Sequence, residues 1–156
     1  MSFPLRDFRS GDLDTLWRID QQCFIPEIAY SMADLRAYLG QPGAFTLLAE
    51  PPAGGEIPGF IIAQAVPARR GAPPVGYIIT IDVLASARRT GLGSHLLLAA
   101  EQRLQSVGCR NVVLESAVNN ASALVFYKRH GYSIVATHAG YYANGLDAYG
   151  MEKIFL

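Results

Sequence analysis

The chain predicts an α+β domain: a mixed sheet with helices on its faces. Three observations predict it. The apolar period is helical near the N-terminus, strand-like between residues 44 and 84, and then alternates between helix and strand. Two turn-rich connections, Pro51–Gly55 and Pro67–Pro74, separate the middle strands in the manner of an antiparallel meander. The 156 residues, 51% hydrophobic and 17% charged, suffice for one core without a disulfide or metal staple. Residues 1–156 therefore read as a single domain, with no repeat, low-complexity tail or linker.

Phe3–Phe8 alternates as a short strand, and Ser10-Gly11-Asp12 punctuates it. Leu13, Leu16, Trp17, Ile19, Cys23 and Phe24 then fall on one face of a helix capped by Ser10 or Asp12. Ser31 caps a second helix, Met32–Leu39, which Gly40 and Pro42 end. Ala44–Ala49, Gly59–Val66 and Tyr77–Leu84 are aliphatic and β-branched strands. Leu92–Val107 is helical, with Leu92, Leu96, Leu97, Ala99, Ala100 and Leu104 on a broad apolar face, and Gly108 stops it. Asn111–Val118 is a strand and Ala121–Arg129 a helix with Leu124, Val125 and Phe126 inward. Tyr132–Thr137 and Ala148–Phe155 close the chain as strands. The helix between Tyr77–Leu84 and Asn111–Val118 is long enough for a right-handed crossover, so those two strands should lie parallel.

Composition narrows the function. Thirteen Lys plus Arg balance thirteen Asp plus Glu, so no basic field exists to attract nucleic acid or a membrane surface. The apolar runs are shorter than a membrane span, and the N-terminus lacks a secretory h-region, so the expectation is a cytoplasmic protein. Cys23 and Cys109 lack CxxC spacing and read as small core residues. The three histidines, His95, His130 and His138, lack metal-ligand spacing, so no metal is expected. A cysteine nucleophile would need a histidine partner, and nothing local supplies one.

The most informative segment runs from Ile81 to Ser94. A buried strand enters a loop of form R-x-x-G-x-G, and its second glycine opens a helical run. Glycines there let several backbone N–H groups converge ahead of the helix's positive dipole end, which makes a pyrophosphate cradle. No GK[ST] follows, so it is not an ATP P-loop, and GxGxxG is absent. An ordinary strand-to-helix turn with two surface arginines is the other reading of this loop alone. Downstream, Glu115 is the lone charge in Val112–Val118, and Asn120-x-x-Ala123-x-x-Phe126-Tyr127-x-x-x-Gly131-Tyr132 follows.

At these residues the chain resembles the GNAT superfamily of acyl-CoA-dependent N-acetyltransferases. Arg88-Arg89-Thr90-Gly91-Leu92-Gly93 is similar to that family's [QR]-x-x-G-x-[GA] signature. The Asn120–Tyr132 segment is similar to its N-x-x-A-x-x-[LF]-Y-x-x-x-G-[FY] signature. Within it the likeness is greatest to the bacterial ribosomal-protein-alanine N-terminal acetyltransferase group. That likeness rests on Ile19-Asp20-x-x-Cys23-Phe24 followed by Tyr30-Ser31, on the strand glutamate twelve residues before the helix tyrosine, and on Tyr141-Tyr142. Ala85 stands where a proline often follows the strand, and Val118-Asn119-Asn120 replaces a more usual R-x-S-N.

The resemblance implies a three-layer α/β/α fold with a splayed, mixed sheet of six or seven strands and about four helices. It implies that the main chain of Ile81, Asp82 and Val83 binds the pantetheine arm of acetyl-CoA, commonly beside a bulge, with the Ile81 and Val83 side chains in the core. Arg88, Arg89, Thr90, Gly91, Leu92, Gly93 and Ser94 would hold the pyrophosphate. Asn120 would touch pantetheine, cap its helix, or do both. Tyr127 would protonate the departing thiolate, and Glu115 would take the amine's proton, its apolar strand favouring proton uptake. Glu27 and Glu152 are weaker candidates for the base. Tyr30, Tyr141 and Tyr142 would border the amine's entrance, offering flat apolar area with a hydroxyl. The acceptor expected is a protein or peptide N-terminus; the alternatives are a small amine and a silent acyl-CoA-binding module. A monomer and a homodimer are both compatible with the sequence.

Overall fold

The computed structural model describes residues 3–156. Its elements are β1 (Leu5–Asp7), a 3-10 turn (Ser10–Asp12), α1 (Leu13–Cys23), α2 (Met32–Leu39), β2 (Ala44–Ala49), β3 (Gly59–Val66) and β4 (Val75–Val83). A second 3-10 turn (Ala85–Ala87), α3 (Leu92–Ser106), β5 (Asn111–Ala117), α4 (Ala121–Arg129), β6 (Ser133–His138) and β7 (Ala148–Ile154) complete the chain. One seven-stranded sheet in the order β1-β2-β3-β4-β5-β7-β6 carries all the strands. Every neighbouring pair is antiparallel except β4 and β5, which are parallel as their crossover helix requires.

That parallel pair is brief. Gly76 faces Val112 and Tyr77 faces Val113, and no further pairing follows, so the sheet opens beyond this point. Gly76 permits the close approach at the root of the opening, since a Cβ there would lie 3.0 Å from Asn111 O and from side-chain carbons of Leu104 and Val112. On its other edge β4 stays laddered to β3 out to Val83, with one irregularity that leaves Ile79 as an extra residue, a bulge two positions before Ile81.

Two apolar clusters sandwich the sheet. Beneath α3 and α4, Leu92, Leu96, Leu97, Ala100 and Leu104 pack on Ile61, Val112, Leu114 and Met151. On the opposite face, Leu16, Ile19 and Leu35 pack on Leu48, Phe60 and Ile62. The seven strands and four α-helices match the expected three-layer fold.

Several local expectations need correction. Neither Ser10 nor Asp12 caps α1 with its side chain; Asp12 instead accepts from Arg9 N at 2.7 Å and pairs with Arg6 at 2.8 Å. Val125 points outward, because α4 has no fully buried residue and turns to the core only a half-buried stripe, to which Leu124 and Phe126 belong. Ala99 is half-buried, and Glu101 takes a place in the interior instead. Glu101 accepts from Tyr132 OH at 2.6 Å and from Lys153 Nζ at 2.8 Å, so a buried charge is matched by two donors. The caps at Ser31 and Asn120 are as expected: Ser31 Oγ accepts from Asp34 N at 3.0 Å, and Asn120 Oδ1 from Ala123 N at 3.2 Å.

Candidate active site

The turn from β4 into α3 bends through two left-handed residues, Arg89 at φ 64° and Gly91 at φ 84°. Only glycine adopts that conformation freely, and alternating it with right-handed residues turns successive N–H groups to one side. Among the described residues, no backbone or side-chain acceptor takes the N–H of any residue from 89 through 94; the first such bond beyond them is His95 N to Gly91 O at 3.0 Å. Two hydroxyls pin the turn: Thr90 Oγ1 donates to Ala87 O at 2.6 Å, and Ser94 Oγ is hydrogen-bonded to His130 Nε2 at 2.8 Å. Six unsatisfied donors at the head of a fifteen-residue helix favour an anion. Leu92 is buried and serves packing through its side chain, and Gly93 lies against the Phe126 ring, where a Cβ would meet carbons at 3.4 and 3.5 Å.

Beside the turn, the last residues of β4 alternate. Ile81 and Val83 pack on the α3/α4 cluster, half-buried rather than fully in the core. Asp82 points to the other face and is fully buried. The carbonyls flanking Ile81 are occupied: Ile79 O accepts from Tyr30 OH at 3.3 Å, and Val83 O from Arg88 Nε at 3.3 Å and Cys23 Sγ at 3.5 Å. Burial, and then the Asp82 carboxyl, push the Cys23 thiol up to about 11, so it stays protonated and is a poor nucleophile.

Across the opening stands Glu115. It is half-buried, and its Oε1 accepts from Tyr77 OH at 2.5 Å and from Tyr141 OH at 3.0 Å. The expectation of a carboxylate isolated in apolar surroundings is therefore corrected, because two phenols hold it. Burial, and then Glu115, raise the proton affinity of both tyrosines, Tyr141 to about 12. They remain neutral donors at physiological pH.

Tyr127 stacks edge-on between Phe126 and Tyr132, at 5.3 and 5.7 Å between centroids. Its hydroxyl finds no hydrogen-bond partner among the described residues. Burial raises its proton affinity, with further contributions from Asp82 and Tyr142. Tyr142 meets Tyr141 edge-on at 5.0 Å, and burial, with a further contribution from Glu115, raises its proton affinity. Tyr30 packs on Tyr38 at 5.2 Å, and burial first, with smaller contributions from Tyr38 and Tyr141, raises its proton affinity. Tyr30 differs from expectation in one respect: its hydroxyl is spent on β4 rather than free. Glu27 lies exposed on the surface, and Glu152, paired with Val113 on the neighbouring strand, is committed to Asn111 Nδ2, from which it accepts at 2.8 Å.

Sequence reasoning missed Tyr77, and only the β4/β5 register reveals it as the partner of Glu115. It also passed over the Asp20 and Asp82 side chains, although Asp82 carried the same signal as Glu115, a charge inside an apolar strand. Among the described residues, no cluster of three or more His, Cys, Asp or Glu could hold a metal, and no helix is long and apolar enough to cross a membrane.

These features define a class: a mixed sheet that opens at its one parallel pair, with an amide-lined turn on one lip. The chain belongs to the acetyltransferase (GNAT) family, whose sequence profile matches residues 13–132. It is similar to the N-alpha-acetyltransferase MAK3 of Arabidopsis thaliana, 35% identical over 80 residues, covering 51% of this chain and 42% of that protein. It is also similar to the mycothiol acetyltransferase of Pseudarthrobacter chlorophenolicus, 30% identical over 137 residues, covering 83% of this chain and 42% of that protein. The chain spans less than half the length of these two relatives. Among solved structures it shares its fold with the ribosomal-protein-S18-alanine N-acetyltransferase of Escherichia coli, at TM-score 0.83, 22% identity and coverage of 99% and 96%. Arabidopsis thaliana NAA60 in complex with acetyl-CoA matches at TM-score 0.84 and 20% identity, with 98% of each chain covered.

Proposed function

We propose that this protein transfers the acetyl group of acetyl-CoA directly to the α-amine of a protein or peptide N-terminus. The observation that carries the reading is the opening of the sheet immediately beyond Tyr77 and Val113. It sets the unpaired amides of residues 89–94 and the main chain of Ile81, Asp82 and Val83 on one strand's side, and Glu115 on the other's.

In this reading, the 89–94 amides hold the pyrophosphate, with Arg88 and Arg89 adding exposed positive charge, and β4 aligns the pantetheine arm. Asn120 is committed to its helix cap and borders that arm. The amine enters between the Tyr30 and Tyr141–Tyr142 loops. Its nitrogen attacks the thioester carbon, Glu115 takes the amine proton directly or through a water, and the C–S bond breaks. Tyr127, whose hydroxyl is not otherwise engaged, supplies a proton to the departing sulfur. An α-amine suits a modest base, since with a pKa near 7.8 about a tenth is already neutral at pH 7, against less than about a thousandth of a lysine side chain.

A second reading, a small-molecule amine as acceptor, draws support from the match to the mycothiol enzyme, which extends over most of this chain. Against it, the acceptor-side loops are rich in tyrosine and poor in carboxylates. A peptide array incubated with labelled acetyl-CoA, alongside a panel of small amines, separates the two. Label on free peptide N-termini supports the first reading; label on small amines alone replaces it with the second.

A further inference from the structure

Asp20, in the last turns of α1, and Asp82, in β4, are both wholly buried, and each carboxyl group feels the other: burial first, and then the neighbouring Asp20, holds Asp82 well above the usual carboxylate range. Each has one oxygen matched elsewhere: Asp20 Oδ2 accepts from Tyr30 N at 2.6 Å, and Asp82 Oδ1 from Thr80 Oγ1 at 2.5 Å. The remaining oxygens, Asp20 Oδ1 and Asp82 Oδ2, have no donor in the protein. Two carboxylate oxygens cannot satisfy each other unless a proton lies between them, and two bare charges in contact inside a protein would be far more costly than one.

We propose that Asp20 and Asp82 share a single proton and act as a positioning pair, fastening the end of α1 to the strand that aligns acetyl-CoA. This rests on the proposed function for the identity of the ligand. The pair is the centre of three ties between the α1–α2 segment and β4: Tyr30 OH to Ile79 O at the bulge, the carboxyl pair at Asp82, and Cys23 Sγ to Val83 O. They bracket Ile81, whose main chain lies on the opening of the sheet. Because Tyr30 N is bound to Asp20, the same pair also fixes the loop at the amine's entrance.

The two carboxyl groups titrate as one unit holding a single proton between them. Burial first, and then the Asp20 carboxylate, hold Asp82 well above the usual carboxylate range, and burial raises Asp20 as well. The titratable groups that feel the pair are Cys23 on α1, Tyr30 in the following loop and Tyr127 on α4, and Arg88, held on Val83 O, acts on Cys23. A folded-state pKa raised above the unfolded value gives stability that is complete in acid and is lost as pH rises through the raised value.

The test uses Asp20→Asn, Asp82→Asn and the double variant. An asparagine mimics a protonated aspartate, so either single variant keeps one amide N–H₂ donating to one carboxylate and should fold with undiminished stability. In the double variant both amide oxygens are taken by Tyr30 N and Thr80 Oγ1, so the two N–H₂ groups face each other. Its folding equilibrium constant should fall roughly tenfold or more below the value expected if the free-energy changes of the two singles simply added. Isotope-edited infrared spectroscopy of the native protein at neutral pH should show a buried protonated aspartyl C=O stretch, absent from either single variant. The KM for acetyl-CoA should rise in the double variant more than kcat falls. A native protein without the protonated-carboxyl band, additive stabilities in the double variant, or an unchanged KM would each overturn the proposal. The band and the stability cycle need no substrate, so they stand or fall apart from the acetyl-transfer reading.

Discussion

Replacing Glu115 with glutamine separates base chemistry from architecture. Both hydroxyl bonds to this side chain, from Tyr77 at 2.5 Å and Tyr141 at 3.0 Å, land on Oε1, which a glutamine amide oxygen can take over. Oε2 accepts nothing within the described residues, so the new N–H₂ displaces no partner. The variant should therefore fold as stably as the native chain and bind acetyl-CoA equally well by calorimetry. What it loses is the proton acceptor, typically worth about 10²–10⁴-fold, or about 3–5 kcal/mol of barrier. The loss should shrink with pH, because an α-amine about a tenth neutral at pH 7 is nearly all neutral at pH 9. Raising pH can thus restore about tenfold and no more. Steady-state kcat on a peptide acceptor across pH 6–9 reads this directly. A Glu115→Gln enzyme with native kcat across that range would remove Glu115 from the mechanism.

Other expectations follow from single contacts. Gly91→Glu should abolish acetyl-CoA binding in calorimetry by adding charge and bulk at the cradle. The φ of 84° should also cost the apo protein about 1–2 kcal/mol, whereas undiminished affinity would move the pyrophosphate elsewhere. Tyr127→Phe should lower kcat by about 10²-fold or more with the acetyl-CoA dissociation constant nearly unchanged; a native kcat would show that another group protonates the thiolate. Tyr132→Phe removes one of the two donors to buried Glu101 and should cost about 1.5–3 kcal/mol, seen as a Tm lower by roughly 3–12 °C in a thermal melt. An unchanged Tm would mean that Lys153 alone suffices.

Most of the architecture was legible because each element carried its own period and stop. The Met32–Leu39 and Ala121–Arg129 helices fell where Ser31 and Asn120 cap them, and the parallel placement of β4 and β5 followed from the length of their crossover. The turn from β4 into α3 was legible for the same reason: its glycines and the helix after them are local. What escaped depends on register and on which face a residue takes. Tyr77 reaches Glu115 only because the strands are aligned at Tyr77 and Val113 before they part. Asp82 was grouped with the main chain of its strand, while its side chain faces away from the ligand edge toward Asp20, 62 positions earlier in the chain. Val125 looked apolar and therefore inward, but α4 turns only one half-buried stripe to the core and leaves Val125 on its open side.

A crystal structure with a bisubstrate analogue, in which CoA is joined to the N-terminus of a short peptide, is the most direct test. Pyrophosphate oxygens should lie within hydrogen-bonding distance of the amides of residues 89–94. The linked nitrogen should lie between β4 and β5, with Glu115 and Tyr127 on either side and the peptide leaving between Tyr30 and Tyr141–Tyr142. Pyrophosphate bound away from that turn, or a peptide leaving the sheet on the side remote from Glu115, would contradict the proposed transfer.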